Sequence, residues 1–252
     1  MSRSLVIIPT YNEKENIEDI IHAVFGLSRE FDVLIIDDNS PDNTADIVKN
    51  LQGEFPRLHI IEREGKQGLG TAYITGFQYA IEHGFDFIFE MDADFSHNPK
   101  DLVQLLEACE KENYDVAIGS RYIKGVNVVN WPMGRVLMSY FASHYVRIIT
   151  GLPISDSTAG FKCYRRQVLE TLNPSETINF IGYAFQIEMK FNAWKHGFKL
   201  KEVPIVFTDR AKGQSKMSIG IFREAVLGVI EMKIRSLFRK YEPVHVSQTE
   251  LT

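Results

Sequence analysis

Cysteine and long hydrophobic runs are both scarce in this chain of 252 residues. The two cysteines, Cys109 and Cys163, are too few for a disulfide framework and lack the spacing of metal ligands. We therefore expect two buried free thiols in a reducing compartment. No apolar run reaches the roughly 18 residues that a membrane-spanning helix needs. Met1 to Leu5 lead directly into a strand pattern, without a signal peptide. These absences predict a cytoplasmic protein.

An excess of positive charge is also missing, since the formal net charge is -5 and the pI is about 5.8. This balance argues against a general nucleic-acid binder. Pro9–Glu13 follows the first predicted strand, where a dinucleotide-binding protein would carry G-x-G-x-x-G. The glycine-rich stretch Gly65–Gly70 lacks the Gly-Lys-Ser/Thr ending of a P-loop. None of the seven histidines has the spacing of a metal site.

Patterns of buried strands and amphipathic helices alternate from residue 5 to about residue 120, with short connections. This alternation is typical of an α/β protein with an open, doubly wound, mostly parallel sheet and helices on both faces. The predicted strands are 5–8, 32–38, 58–61, 87–94 and 115–119, and the predicted helices are 17–25, 44–51, about 73–81, and 99–113.

The second half of the chain is less regular. Its pattern predicts a loop, a helix, a short strand, a second helix and a last core strand, at 122–134, 135–150, 159–164, 182–196 and 202–207. Because there is no internal repeat and no low-complexity linker, we predict one domain over residues 1–242. Residues 243–252 are expected to form a disordered tail.

Carboxylates stand at the ends of three predicted strands: Glu13, the pair Asp37 and Asp38, and the pair Asp92 and Asp94. In an extended segment residues i and i+2 point the same way, so Asp92 and Asp94 can present their side chains together. Two such carboxylates suit a hard divalent cation that also binds substrate phosphates. An isolated Asp-x-Asp is more often a solvated turn. Three acidic strand ends at one crevice favour a ligand site instead.

Six short motifs occur in an order and at separations that one family shares. They are Ile8-Pro9-Thr10-Tyr11-Asn12-Glu13, Asp37-Asp38, Gly68-Leu69-Gly70, Met91-Asp92-Ala93-Asp94, Gly119-Ser120-Arg121-Tyr122 and Gly213-Gln214-Ser215-Lys216. Together they resemble the family 2 glycosyltransferases of the GT-A fold. More narrowly, they are similar to the dolichyl- or polyprenyl-phosphate mannose synthases of the short type without transmembrane helices. The resemblance covers roughly residues 3–240, and its specificity lies in the whole set.

The resemblance implies a donor site in residues 1–120. Asp92 and Asp94 resemble a pair that binds Mg²⁺ or Mn²⁺ and so holds the diphosphate of a sugar nucleotide. Ser96 stands where some relatives place a metal-contacting glutamine, and its hydroxyl is expected to be a weak ligand. The other residues implied at the donor are Pro9, Tyr11, Glu13, Ile36, Asp38, Lys66, Gly68, Leu69, Gly70 and Ala93, with Arg210 and Lys216 closing on its phosphates.

The acceptor half implied by the resemblance spans residues 121–242. Arg121, Arg135 and Ser139 match positions that bind the phosphate of the acceptor lipid, and guanidinium groups recognise phosphate through paired hydrogen bonds. Asp156 matches a loop that lines the sugar pocket, and its alternative is an Asx turn or a helix cap.

The implied reaction transfers a hexosyl unit, mannose from GDP-mannose, to a polyprenyl or dolichyl monophosphate, with inversion. A phosphate monoester is mostly dianionic at neutral pH, so it needs no general base. The chain lacks the Gln-x-x-Arg-Trp motif of processive relatives, which implies one sugar per turnover. Three alternatives remain: a UDP-sugar donor, a soluble glycan acceptor with Asp156 as base, and a non-catalytic sugar-nucleotide-binding protein.

The C-terminal helix has two interpretations. It either packs on the core or lies as a basic amphipathic helix on an anionic membrane, where a polyprenyl acceptor resides. The second interpretation places the protein at the cytosolic face of a membrane, as a peripheral protein. The resemblance also implies a possible separate membrane-anchoring subunit. The apolar residues expected close to one face are Ile219, Phe222, Val226, Val229, Ile230, Ile234, Leu237 and Phe238.

Overall fold

The structure is a computed structural model that describes residues 2–209 and 219–241. The strands are β1 Ser4–Thr10, β2 Asp32–Asp37, β3 Leu58–Glu62, β4 Phe87–Glu90, β5 Val116–Ser120, β6 Val128–Val129, β7 Lys162–Arg165, β8 Leu200–Pro204 and β9 Phe207–Thr208. The helices are α1 Ile17–Phe25, α2 Thr44–Leu51, α3 Leu69–Glu82, α4 Asp101–Glu110, α5 Met133–Thr150, α6 Arg166–Leu172, α7 Pro174–Thr177, α8 Tyr183–Lys195 and α9 Ile219–Phe238.

A mostly parallel sheet forms the centre of the protein, in the order β3-β2-β1-β4-β7-β5-β8. β7 runs antiparallel to both β4 and β5, and the other pairings in this sheet are parallel. The short strands β6 and β9 pair in a separate sheet. The predicted α/β class and doubly wound architecture are confirmed. The division into a single domain with a tail stays a prediction.

Alternating side chains of the strands enter two apolar clusters on opposite faces of the sheet, as the period of two requires. In β1, Val6 and Ile8 join the cluster that includes α1 and α4, whereas Leu5 and Ile7 join the cluster that includes α3, α6 and α8. A third cluster joins α5, α8 and α9. These runs of aliphatic residues are buried on both faces, which explains why the strands read as continuous apolar segments.

The strand predicted to stop at Pro9 continues to Thr10. Met91 donates its N–H to the Ile7 carbonyl, so the backbone N–H and C=O groups of odd-numbered residues of β1 point towards β4. The pairing with β4 ends at Ile7 and Glu90. Pro9 therefore lies beyond this ladder, and its missing N–H costs no strand hydrogen bond.

Three other expectations differ from the structure. The apolar run from residue 87 ends as a strand at Glu90, and bends begin at Ala93. The predicted strand 202–207 is split into β8 and β9, because the chain leaves β5 after Pro204 and then pairs with β6. Helices α6 and α7 were not predicted, since both are short and one begins at a proline.

Candidate active site

The carboxyl ends of β1, β2, β4 and β5 lie along one edge of the sheet, because these strands run in the same direction. The strand order reverses between β1 and β4, which is the place where open α/β sheets bind ligands. The sheet topology thus confirms the predicted convergence of the acidic strand ends. It also brings Arg121, directly after β5, to the same edge.

The segment Asp92–Asp94 forms the start of a tight turn beyond β4. The Asp92 side chain is 40% exposed, whereas Asp94 is buried and accepts a hydrogen bond from the Ser96 N–H at 3.0 Å. Phe95 has a φ of 58°, and every other described non-glycine residue with a positive φ is an asparagine. This conformation costs a side chain about 1–2 kcal/mol. The surrounding structure holds the strained turn in place, which is common at ligand sites.

His97, which the sequence analysis did not select, supports this turn. The Asp92 N–H donates to Nδ1 of His97 at 3.3 Å, and the imidazole stacks on Phe161 with ring centres 4.8 Å apart. Burial lowers the pKa of His97 to about 4. The ring is therefore neutral at pH 7, with its proton on Nε2. His97 acts here as a hydrogen-bond acceptor, and its 3.8 Å approach to the Asp92 carboxylate is not a charged pair.

The residues of this turn fit a divalent cation that is shared with a substrate. Asp92 and Asp94 supply carboxylate oxygens, and Ser96 supplies a buried hydroxyl. Within residues 2–209 and 219–241, no cluster of three His, Cys, Asp or Glu side chains could hold a metal by itself. Mg²⁺ and Mn²⁺ suit such an incomplete set of hard oxygens, because water and phosphate oxygens fill their remaining positions.

Asp38 is held by a residue that the sequence analysis did not identify. Arg63 donates from Nε to Oδ1 of Asp38 at 2.6 Å, and both side chains are about nine-tenths buried. Arg63 also donates from Nη1 to Thr71 Oγ1 at 2.8 Å, and this hydroxyl in turn donates to the Gly68 carbonyl at 2.8 Å. Arg63 thus ties the end of β2 to the glycine turn.

The glycine turn before α3 is shaped by close packing. Gly68 has a φ of 101°, which favours glycine, and the Gly70 N–H donates to the Ile181 carbonyl at 2.8 Å. A Cβ atom at Gly70 would lie 2.9 Å from a ring carbon of Phe185. The glycines therefore allow α3 to begin against residues 181–185. This close packing is by itself sufficient to explain the glycine at position 70.

The other residues implied at the donor occupy different environments. The Lys66 ammonium lies 5.2 Å from the centre of the Tyr11 ring, so these two lie side by side at the crevice. Glu13 accepts a hydrogen bond from Asn16 Nδ2 at 3.1 Å. Ile36 is fully buried in the core, so only its backbone can border a ligand. The remaining three are Pro9 in β1, Leu69 at the start of α3 and the buried Ala93 between Asp92 and Asp94.

Arg121 forms a buried pair with Asp156. Its Nε and Nη2 donate to the two carboxylate oxygens at 2.7 and 2.6 Å, and its backbone N–H donates to Oδ2 at 2.9 Å. Nη2 also donates to Thr158 Oγ1 at 2.8 Å. Burial raises the pKa of Asp156, but the adjacent guanidinium and its hydrogen bonds outweigh this and hold the pKa below its usual value. Asp156 is therefore an anion at neutral pH and a poor general base.

Arg135 and Ser139 lie on α5 beside this pair. The Arg135 guanidinium stacks over Trp131 at 4.2 Å from the ring centre and donates to Asp209 at 2.9 Å. The Trp131 ring is also 5.5 Å from the Arg121 guanidinium carbon. Arg121 and Arg135, two of the three residues predicted at the acceptor phosphate, thus lie on the same aromatic ring, and Trp131 itself was not predicted.

Beneath the crevice lies a charged network with no exposure to solvent. Lys162 donates to Glu90 at 2.9 Å, and the Glu90 carboxylate also accepts from Tyr164 and Gln186 at 2.9 and 2.7 Å. Lys190 donates to the Ala159 carbonyl at 2.6 Å. Burial lowers the pKa of Lys162 despite the neighbouring Glu90, and lowers the pKa of Lys190 well below its usual value. The network fixes the loop that carries Asp156.

Arg210 and Lys216 lie outside the described residues. Of the site residues missed from the sequence, Arg63 and Lys162 lie in or beside strands, where a charge next to an apolar run is the available signal. For His97, the available signal is its position three residues after Asp94.

A sequence profile described as glycosyl transferase family 2 matches residues 5–172. The chain is 44% identical to a polyprenol monophosphomannose synthase of Mycolicibacterium smegmatis over 92% of its own length and 88% of that protein. It is also 44% identical to an undecaprenyl-phosphate mannosyltransferase of Micrococcus luteus over 90% of its own length and 92% of that protein.

Solved structures with the same fold are more distant in sequence. Glucosyl-3-phosphoglycerate synthase of Mycobacterium tuberculosis, in complex with Mn²⁺, UDP and glucosyl-3-phosphoglycerate, has a TM-score of 0.68 at 16% identity and covers 98% of this chain and 84% of that one. A mannosyltransferase of Pyrobaculum calidifontis, in complex with GDP-mannose and Mn²⁺, has a TM-score of 0.59 at 17% identity and covers 96% of this chain and 66% of that one. These likenesses support the GT-A fold.

Proposed function

Since this chain belongs to the family 2 glycosyltransferases, we propose that it transfers mannose from GDP-mannose to the phosphate of a polyprenyl monophosphate. Two relatives at 44% identity that span nearly the whole chain carry names of this activity. The choice of mannose, of the guanine nucleotide and of the lipid is carried over from those names and from the motifs.

The observation that carries this proposal is that Asp156 is ionised and held by Arg121. A hydroxyl acceptor needs a general base, whereas a phosphate dianion does not. Asp156 is the carboxylate nearest to Arg121, and both of its oxygens are bound by that guanidinium. The neighbouring groups, Arg135 and Trp131, carry N–H donors. This side of the crevice suits an anionic acceptor better than a sugar hydroxyl.

The donor diphosphate would lie against Asp92 and Asp94, with Mg²⁺ or Mn²⁺ between. When bound, the cation neutralises negative charge on the departing nucleoside diphosphate, which contributes several kcal/mol. His97 holds the Asp92 backbone, so the metal turn is already formed before the donor binds. Preformed carboxylates reduce the reorganisation that the reaction would otherwise require.

In the proposed reaction an acceptor phosphate oxygen forms a bond to the anomeric carbon of the mannosyl unit. The bond from that carbon to the β-phosphate oxygen of GDP breaks, and its electron pair leaves with GDP. Attack from the opposite side inverts the configuration. Arg135 and Ser139 would orient the attacking phosphate, and Arg121 would add positive charge beside it while it keeps Asp156 ionised.

An apolar stripe on α5 supports contact with a membrane. Its exposed residues are Met133, Leu137, Phe141 and Ile148, at 71, 47, 63 and 80% exposure. Its buried residues are Ser143, Val146 and Thr150. At about 100° per residue, the two sets lie on nearly opposite sides of the helix. The exposed stripe is therefore not the packing face, and we propose that it rests in the headgroup region of a bilayer.

Helix α9 repeats this arrangement. Val229 and Met232 pack on α5 and α8, whereas a second apolar set faces outward. The outward set is Leu227, Ile230, Ile234, Leu237 and Phe238. Of the apolar residues expected close to one face, Val229 is buried, whereas Ile230, Ile234, Leu237 and Phe238 are exposed. No helix in the described part of the chain is long and apolar enough to cross a membrane. Lys233, Arg239 and Lys240 would add attraction to anionic lipids.

Transfer can be tested with purified protein, vesicles that contain polyprenyl phosphate, and GDP-mannose with either Mg²⁺ or Mn²⁺. We expect a mannosylated lipid that EDTA prevents from forming. UDP-glucose and UDP-N-acetylglucosamine serve as competing donors. Product from a UDP-sugar alone would replace GDP-mannose in the proposal, and no product with any donor would contradict it.

A further inference from the structure

Two buried hydrogen-bond donors lie unused beside Arg121. The Tyr122 hydroxyl and the Trp131 indole N–H are shielded from solvent and have no hydrogen-bond partner among the residues that the structure describes. An unmade hydrogen bond at a buried polar atom typically costs about 1–3 kcal/mol. Their position therefore calls for a ligand that accepts hydrogen bonds.

Both donors belong to aromatic rings that lie beside the arginines. The Arg121 guanidinium carbon lies 5.3 Å from the Tyr122 ring centre and 5.5 Å from the Trp131 ring centre. Burial raises the pKa of the Tyr122 phenol, whereas Arg121, the Ser139 hydroxyl and Arg135 lower it. The Ser139 hydroxyl is therefore close to the phenol oxygen, although the two do not meet the geometry of a hydrogen bond. The unused donors thus converge on Arg121, Arg135 and Ser139, the three residues assigned to the acceptor phosphate.

Both arginines already donate hydrogen bonds to carboxylates of the protein, so an acceptor phosphate would gain from further donors. Arg121 spends Nε and Nη2 on Asp156, and Arg135 donates to Asp209. A phosphate dianion has only acceptor oxygens, so it needs N–H and O–H groups around it. A neutral phenol and a neutral indole can supply them without a counterion. They would not serve an uncharged alcohol equally well, since hydrogen bonds to charged groups are stronger.

We propose that the Tyr122 hydroxyl and the Trp131 indole N–H bind oxygens of the acceptor phosphate and select a phosphate monoester over an alcohol. The inference rests on the proposed function, because it concerns the acceptor of that reaction. Tyr122 belongs to one of the six motifs, but neither the motifs nor the names of the relatives give Tyr122 or Trp131 a role. Each side chain is a binding residue for the acceptor, and the donor nucleotide is bound elsewhere in the crevice.

The first test measures transfer from GDP-mannose to geranyl phosphate, a short isoprenyl monophosphate, by Tyr122→Phe and Trp131→Phe. Each change removes one donor and keeps the aromatic ring. We expect KM for geranyl phosphate to rise roughly ten-fold to a hundred-fold, as the loss of a hydrogen bond to a charged group predicts, with KM for GDP-mannose unchanged. The matched controls are Tyr140→Phe, whose ring contacts Tyr122, and Trp194→Phe on α8, and both should behave as wild type.

The second test does not depend on turnover. Trp131 and Trp194 are the two tryptophans of the chain, so Trp194→Phe leaves Trp131 as the single indole fluorophore. Geranyl phosphate should change its emission, geraniol should not, and adding Tyr122→Phe should weaken the response roughly ten-fold or more.

Unchanged KM for geranyl phosphate in both Phe variants, with an active wild type, would overturn the inference and leave the proposed function intact. An equal response to geraniol and geranyl phosphate would also overturn it. If the wild type forms no glycosylated lipid with any donor, the proposed function fails. The fluorescence titration then still decides whether Tyr122 and Trp131 bind an isoprenyl phosphate.

Discussion

The two sides of the sheet edge differ in the charges that they bury and in the apolar residues that they expose. On the donor side, β1 and β2 are filled with aliphatic side chains, and Asp92, a proposed metal ligand, is 40% exposed just beyond β4. On the acceptor side, Lys162, Lys190 and Asp156 are completely buried. Several large apolar residues of α5 and α9 lie on the surface, among them Phe141, Ile148 and Phe238.

This contrast fits the proposed function. A cation shared with a soluble nucleotide would need a carboxylate that the substrate can reach, such as Asp92. A lipid phosphate would need hydrogen-bond donors next to a surface that contacts hydrocarbon. Buried charges on the acceptor side are costly alone, so each is paired or hydrogen-bonded. Four sets of substitutions test this contrast, and they are described from the largest expected effect to the smallest.

Loss of a carboxylate from the metal turn should have the largest effect. We expect Asp92→Asn and Asp94→Asn to lower kcat at least about a hundred-fold, because charge stabilisation by a metal is worth several kcal/mol and about 1.4 kcal/mol is ten-fold. Mn²⁺ binding, followed by its electron paramagnetic resonance, should weaken in parallel. Asp46→Asn on the exposed face of α2 is the control. Normal Mn²⁺ binding by both turn variants would place the metal elsewhere.

Removing one partner of the buried Glu90–Lys162 pair should have the largest effect on the stability of the protein. Lys162→Met leaves Glu90 as a buried carboxylate without its cation, which should cost about 3–5 kcal/mol in the free energy of unfolding, as measured with urea. Lys162→Met/Glu90→Met should cost less than the sum of the two single changes. Lys201→Met removes an exposed pair with Glu112 and should cost at most about 1 kcal/mol. Equal losses for Lys162 and Lys201 would mean that burial has no special role.

Replacing apolar residues of the exposed α5 stripe by polar ones should weaken membrane binding and leave the stability of the protein unchanged. Phe141→Ser/Ile148→Ser should reduce sedimentation with anionic vesicles by about ten-fold or more, since burying such a side chain is worth about 1.5–3 kcal/mol. Transfer to geranyl phosphate in solution and the melting temperature should be unchanged. Lys49→Gln on α2 is the control, because α2 packs on α1, β2 and β3. Undiminished vesicle binding would contradict the membrane assignment of α5.

The smallest effect concerns acid stability. The folded pKa of Asp156 lies below its unfolded value, so its contribution to stability is present above the unfolded pKa of about 3.8 and is lost as pH falls through the folded pKa. Asp156→Asn should therefore destabilise the protein at neutral pH and flatten the fall in stability below about pH 4. Urea unfolding from pH 3 to 7 measures both. A wild-type acid slope in Asp156→Asn would assign that slope to other carboxylates.

The donor side was largely predictable from the sequence because its elements are local. Thr44–Leu51 was predicted with the bounds that the structure has, since a helical period between two apolar runs specifies it. Asp38, Asp92 and Asp94 were placed by the rule for strand ends. The partner of Asp38 could not be predicted, because Arg63 reaches it across two neighbouring strands.

The acceptor side was less predictable because its contacts join distant segments. The Glu90–Lys162 pair spans 72 positions, and it depends on an antiparallel strand inserted between two parallel ones. Nothing in the local pattern of Lys162-Cys163-Tyr164 specifies that insertion. Likewise, periodicity showed that α9 is amphipathic, but only packing could show which apolar residues face inward.

Helix α5 has a further consequence for the choice of lipid. It carries Ser139 in its first half, on the side opposite the exposed stripe that runs from Met133 to Ile148. If that stripe rests on the bilayer, the helix axis lies parallel to the membrane, and the phosphate pocket stands about one helix diameter, roughly 10 Å, above the stripe. The lipid phosphate would then be reached only at that height above the hydrocarbon. Lipids would then be sorted by how far their headgroup projects as well as by its charge.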